Sequence, residues 1–145
     1  MKLQYLSVLV LVACVCVLPL SFAAEEKPAS PFDDCAKACN DCQRACDWCS
    51  THCARLMAEG KKEHMATMQT CEDCATHCSA AATIVSRQGP FSDTICMACA
   101  EACKRCGDAC EKHGSHDATM KKCADECRRC EKACREMMRH TGPKA

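Results

Sequence analysis

The body of this 145-residue chain is almost without aliphatic side chains: past position 23 it holds one leucine (Leu56), one valine (Val85) and two isoleucines (Ile84 and Ile95). Aromatic residues make up 3% of the whole chain, and past the same position only Phe32, Trp48 and Phe91 remain. A chain so composed cannot bury an ordinary aliphatic core. Excess charge is missing too: 19 basic residues stand against 19 acidic ones, so nothing here attracts nucleic acid. The one long apolar run, Leu3 to Leu20, sits at the N-terminus behind Met1 and Lys2 and is followed by Ser21-Phe22-Ala23, a small-x-small cleavage pattern. Residues 1–23 are therefore expected to be a cleaved secretory signal, with export to a periplasmic space and no membrane span afterwards. Lipid attachment at Cys14, in Leu11-Val12-Ala13-Cys14, is disfavoured because the apolar run continues past it to Leu20. No twin-arginine pair precedes the run, so the expected route is general secretion of an unfolded chain.

What the chain does have is cysteine. Of 20 cysteines, Cys14 and Cys16 leave with the signal and 18 remain. Either these thiols are the core, or a bound species completes it. They fall in four segments: Cys35, Cys39, Cys42, Cys46, Cys49 and Cys53; Cys71, Cys74 and Cys78; Cys96, Cys99, Cys103, Cys106 and Cys110; Cys123, Cys127, Cys130 and Cys134. Gaps of three and four residues place every thiol of a segment on one stripe of one helix. Breakers separate the segments at Gly60, at Gln88-Gly89-Pro90 and at His113-Gly114-Ser115. The spacing predicts helices over 33–58, 62–86, 92–112 and 117–140, with Asp33, Ser92 and Asp117 as N-caps. Four amphipathic helices joined by short loops predict an all-α fold, an antiparallel up-down-up-down four-helix bundle over 33–140 with a cysteine-lined core. Residues 24–32 and 141–145 read as tails.

Inert packing is a poor account of a core built from one rare, reactive residue type. A disulfide-crosslinked structural or interaction domain is the alternative from another class, since export reaches an oxidising compartment. Against it, thiols on one helix stripe have Cβ atoms about 5–6 Å apart, beyond the roughly 3.5–4.5 Å of a disulfide. Zinc knuckles and ferredoxin spacings are absent: CxxC here always alternates with CxxxC, and no Cys-Pro dipeptide occurs. Cu(I) fits better, because it is soft, selects thiolate and is satisfied by two or three sulfurs. One Cu(I) per thiolate would also leave the core neutral.

Extending each heptad past its cysteines brings His64, Met65, Met68, His113, His116 and Met120 to one pole, with Leu56 and Met57 ending the first helix there. Of these, His64, Met68, His113, His116 and Met120 are the candidate ligands of an entrance. The opposite pole gathers Phe32, Ile84, Val85, Phe91, Ile95 and Met137 as an apolar plug. His52 and His77 read as helix-surface residues, Trp48 as outward-facing, and Gly107 as a site of close helix approach. No Ser/His/Asp arrangement is readable, and cysteine occupies the seam where a di-iron bundle carries carboxylates, so no enzyme is expected.

The repeated CxxxCxxC spacing, over essentially all of 33–140, resembles the four-helix-bundle copper storage proteins. That resemblance implies many Cu(I) ions held by the 18 thiolates, an entrance bearing His and Met, homo-oligomers among exported members, and exchange with a copper donor or acceptor protein.

Overall fold

The structure, a computed structural model, describes residues 30–141. The signal segment, Cys14 and residues 142–145 lie outside the described residues. Four helices make up the fold: α1 (Pro31–Ala58), α2 (Met65–Ser86), α3 (Ser92–Gly114) and α4 (Ala118–Thr141), with a 3-10 turn at Lys62–His64 leading into α2.

Helix ends follow local chemistry. α1 starts two residues before the predicted Asp33, because Ser30 is its N-cap and Pro31 its first helical residue. Asp33 completes a capping box: its backbone amide donates to Ser30 Oγ at 3.2 Å, and its carboxylate accepts from the Ser30 amide at 3.2 Å. Ser92 does not cap α3 but is its first residue, donating its hydroxyl to the Gly89 carbonyl at 2.7 Å. Asp117 does cap α4, accepting from the amides of Thr119 at 2.9 Å and Met120 at 3.0 Å. After α1 the chain reverses through Gly60, whose φ of 92° is left-handed backbone that favours glycine.

Each helix packs on its neighbours in chain order and α4 closes the ring on α1; among the described residues the diagonal pairs α1/α3 and α2/α4 share no close backbone approach. Thiol register shows the directions. Contacts Cys35–Cys96, Cys42–Cys103 and Cys49–Cys110 keep a constant offset of 61 residues, so α1 and α3 run parallel. Cys39–Cys134 and Cys46–Cys127 climb one helix while descending the other, so α1 and α4 are antiparallel, as Cys71–Cys110 and Cys78–Cys103 show for α2 and α3. The result is an up-down-up-down bundle whose diagonal helices α1 and α3 meet sulfur to sulfur across the core.

At one pole Val85 and Met137 are fully buried, with Phe32 and Ile95 packed partly against them. Phe91 departs from the expected plug, with 67% of its surface exposed in the α2–α3 connection. Outward faces carry exposed i,i+4 ion pairs such as Lys37–Asp41, Lys104–Asp108 and Lys121–Asp125, which solvent screens and which add little to stability.

Gly107 has a more specific role than general helix approach. A Cβ there would lie 2.9 Å from the guanidinium carbon of Arg128 on α4. That guanidinium donates to Asp108 at 2.5 Å, to both carboxylate oxygens of Glu111 at 2.8 and 2.9 Å, and to the Lys104 carbonyl at 3.2 Å. Replacing Gly107 by Ala in an Arg128→Ala background should stabilise the fold by about 1 kcal/mol through helix propensity. In the wild-type background the same change should bring no gain, because the new methyl displaces the guanidinium. Urea midpoints of the four proteins measure this, and equal effects in both backgrounds would refute the wedge.

Candidate metal centre

Because three- and four-residue spacings follow the helix period, all 18 cysteines of the described residues turn inward, none more than 2% exposed. All 18 are free, and the shortest sulfur–sulfur contacts are 3.6 Å, against about 2.05 Å for a disulfide. Contacts of 3.6–4.0 Å link the thiols in one continuous chain, from Cys134 and Cys39 near the apolar pole through Cys78, Cys103, Cys42 and Cys46 to Cys110 and Cys49. Cys35 and Cys96 pair at 3.9 Å at the apolar end.

Some contacts close into triangles. Cys42, Cys46 and Cys127 stand 3.7, 3.8 and 3.9 Å apart. Cys78, Cys99 and Cys103 stand 3.6, 3.7 and 4.0 Å apart. With a metal–thiolate bond of about 2.3 Å, three sulfurs around one ion are separated by roughly 4.0 Å and four by roughly 3.8 Å. The thiols therefore stand at the separations that three- or four-sulfur coordination requires. A linear site needs about 4.6 Å, so the CxxxC pair Cys42/Cys46 at 3.9 Å would have to open to hold an ion alone.

Burial and mutual hydrogen bonding pull the thiols apart in acidity. Cys42 is held below the usual thiol range, led by its hydrogen bonds with Cys103 and Cys127. Cys106 is lowered to about 7, led by the hydrogen bond from Cys110. Cys46 is pushed up, led by its hydrogen bonds with Cys106 and Cys123. Cys53, nearest the opposite pole, is raised to about 12 by burial, with the neighbouring charge of Cys49 adding to it. The thiols held above the ordinary range keep their protons while the core is empty and must shed them to bind a cation.

The polar end is assembled by short connections. His64, 8% exposed, reaches His113 with ring centroids 4.6 Å apart and planes tilted by 58°. His64 Nδ1 is buried and has no hydrogen-bond partner. Met120, one step outward from Cys123 on the same stripe, is fully buried, and Met68 is half-buried against the core. His116 is not brought to this group: it stands exposed in the α3–α4 turn, its amide donating to the His113 carbonyl at 3.1 Å. Met65 likewise points out, 44% exposed.

His52 has more than the surface role expected of it. Its Nε2 lies 2.6 Å from Asp117 Oδ2, tying the end of α1 to the start of α4 beside Cys53. The signal was present in the sequence, since His52 precedes a stripe cysteine and Asp117 is a cap at the same pole. His77 keeps its surface role, donating Nδ1–H to the Asp73 carbonyl at 2.8 Å.

The sequence profile of the family described as "Csp: Copper storage protein" matches residues 28–139. No curated protein is significantly similar to the chain. Among solved structures, a cytosolic copper storage protein from Streptomyces lividans, described with five coppers, is 30% identical, with TM-score 0.69 over 75% of this chain and 92% of that one. The same organism's Ccsp loaded with 10 copper equivalents is 29% identical, with TM-score 0.69 over 79% and 93%. The Cu(I)-bound copper storage protein BsCsp3 is 31% identical, with TM-score 0.69 over 75% and 99%.

Burial raises the Asp117 carboxyl, but the hydrogen bonds from His52 and from the Met120 and Thr119 amides outweigh it and hold the group below its ordinary value. A depressed folded value means stability that is present above the unfolded pKa of about 3.9 and lost as pH falls through the folded one. Asp117→Asn, which keeps a capping acceptor, should therefore be less stable than wild type at about pH 5, with the gap closing towards about pH 2. Urea unfolding across this range reads it; a gap independent of pH would refute it.

Proposed function

The chain belongs to the copper storage protein family, and from that membership we propose that it stores Cu(I) on the thiolates of its 18 stripe cysteines. The observation that carries this reading is the continuous chain of buried free thiols at metal-bridging separations, in a bundle with almost no other core. Cu(I) is soft, prefers thiolate and accepts low coordination numbers, so shared sulfurs can hold many ions. Loading replaces thiol protons by monovalent cations, which keeps the interior neutral and makes uptake weaken as pH falls.

Copper passes in at the His/Met end. His64 offers an unpartnered buried ring nitrogen, the tilted ring of His113 lies against it, and Met120 and Met68 lead towards Cys123 and Cys71. His116 is an outer receiving group at most, given its exposure. The role is storage or sequestration without catalysis, served by a copper donor or acceptor protein, with homo-oligomer formation.

The leading segment 1–23, with its apolar run and Ser21-Phe22-Ala23, supports export to the periplasm, where the mature chain would carry the helical bundle Pro31–Thr141. In this it differs from the Streptomyces lividans relative described as cytosolic. Among the described residues no helix is long and apolar enough to cross a membrane.

Anaerobic titration of the reduced mature chain with Cu(I), against a competing chelator, should show more than about ten ions taken up and released only at high chelator. Uptake of one or two weakly held ions would overturn storage. His64→Ala should slow uptake several-fold while leaving capacity within about one ion of wild type, since one ligand of the entrance is lost and the thiols are untouched.

A further inference from the structure

Cu(I) does not need four sulfurs, yet the core supplies closed sets of four. Cys42, Cys74, Cys78 and Cys103 lie with all sulfurs within 4.8 Å of one another. Four of their six separations are 3.8, 4.0, 3.8 and 3.6 Å, around the roughly 3.8 Å edge of a zinc tetrathiolate with bonds of about 2.3 Å. All four side chains are 0% exposed, so no position is open to water, as in a structural zinc site. The set joins a CxxxC pair of α2 to one cysteine from each of the diagonal helices α1 and α3. Two further sets repeat this plan with the CxxxC pairs Cys130/Cys134 and Cys123/Cys127 of α4, and the three sets share no sulfur.

We propose that the copper-free bundle is also a zinc-binding protein, taking Zn(II) into these tetrathiolate sets, with the Cys42/Cys74/Cys78/Cys103 set as the central site. Charge limits the loading. Four thiols give up four protons to one divalent ion, so each filled set carries two net negative charges in a dry interior. Neighbouring sets touch through Cys42–Cys46 at 3.9 Å and Cys42–Cys127 at 3.7 Å, so each ion bound raises the cost of the next. Between one and three ions per chain is the expected range. The same charge makes zinc displaceable: four Cu(I) ions on four thiolates leave the set neutral and set one Zn(II) free, a gain that adds to the softness of the sulfur ligands. Zinc would hold the bundle closed, with its thiolates coordinated, until copper arrives.

The experiment is an anaerobic titration of the reduced mature chain with Co(II), a tetrahedral reporter for zinc sites, followed by Zn(II) and then Cu(I) with a zinc indicator present. Tetrahedral tetrathiolate ligand-field bands should saturate at one to three Co(II) per chain, bleach on Zn(II) addition, and be followed by zinc release as Cu(I) is added. Cys78→Ser should lower the Co(II) count by one, whereas Cys53→Ser, which lies outside the three sets, should not; far-UV helicity reports whether each variant is folded. Absence of tetrahedral bands, more than three ions, or equal loss in both variants would overturn the inference. Cu(I) uptake without zinc uptake would overturn it and leave storage standing; uptake of neither metal would overturn both.

Discussion

The molecule depends on one constraint: between the two poles, the central inward stripe of each of the four helices is made of thiols. Cysteine and alanine bury little apolar area per residue, so the usual driving force for helix association is thin here. Ala36, Ala75, Ala81, Ala82, Ala100 and Ala124 flank the sulfur seam and let the helices close around it, while larger side chains are confined to the two poles. Across both diagonals the helices meet sulfur to sulfur, so whatever binds the sulfurs also joins all four helices. Metal loading and fold stability are therefore linked, as in other sites assembled from several elements.

The constraint also sorts the ends. Val85 and Met137 pack to seal one pole, and the other pole carries imidazoles beside its thioethers at the points where the stripes run out. Between them the thiols serve as donors and acceptors of weak hydrogen bonds, which spreads their acidities. A cation reaching Cys53 meets a thiol raised to about 12 by burial, and beyond it Cys49 and Cys110 begin the chain of sulfurs at near-constant spacing. Copper need move only one contact at a time to pass inward.

Much of this was legible in the sequence. The alternation of three and four fixes which face each cysteine occupies, and short breakers leave few options but antiparallel neighbours, so ring order and core composition follow. Contacts that depend on a side chain reaching across to another helix were not legible. Arg128 fills the hollow over Gly107, and His52 reaches Asp117, because of relative helix rotation that spacing alone does not set. Periodicity also says nothing about where a loop residue turns. Phe91 and His116 sit just outside helix ends, and both face solvent where the heptad extension pointed them inward. The first helix begins early because a capping box starting at Ser30 outcompetes the isolated Asp33 signal.

The central claim is that copper sits among these sulfurs and little else. Copper K-edge X-ray absorption of the fully loaded chain addresses it directly. The account expects Cu(I) with two to three sulfur neighbours at about 2.3 Å, short copper–copper scattering from shared thiolates, and only a minor nitrogen contribution. A spectrum dominated by nitrogen or oxygen ligands, or isolated ions without copper neighbours, would contradict it.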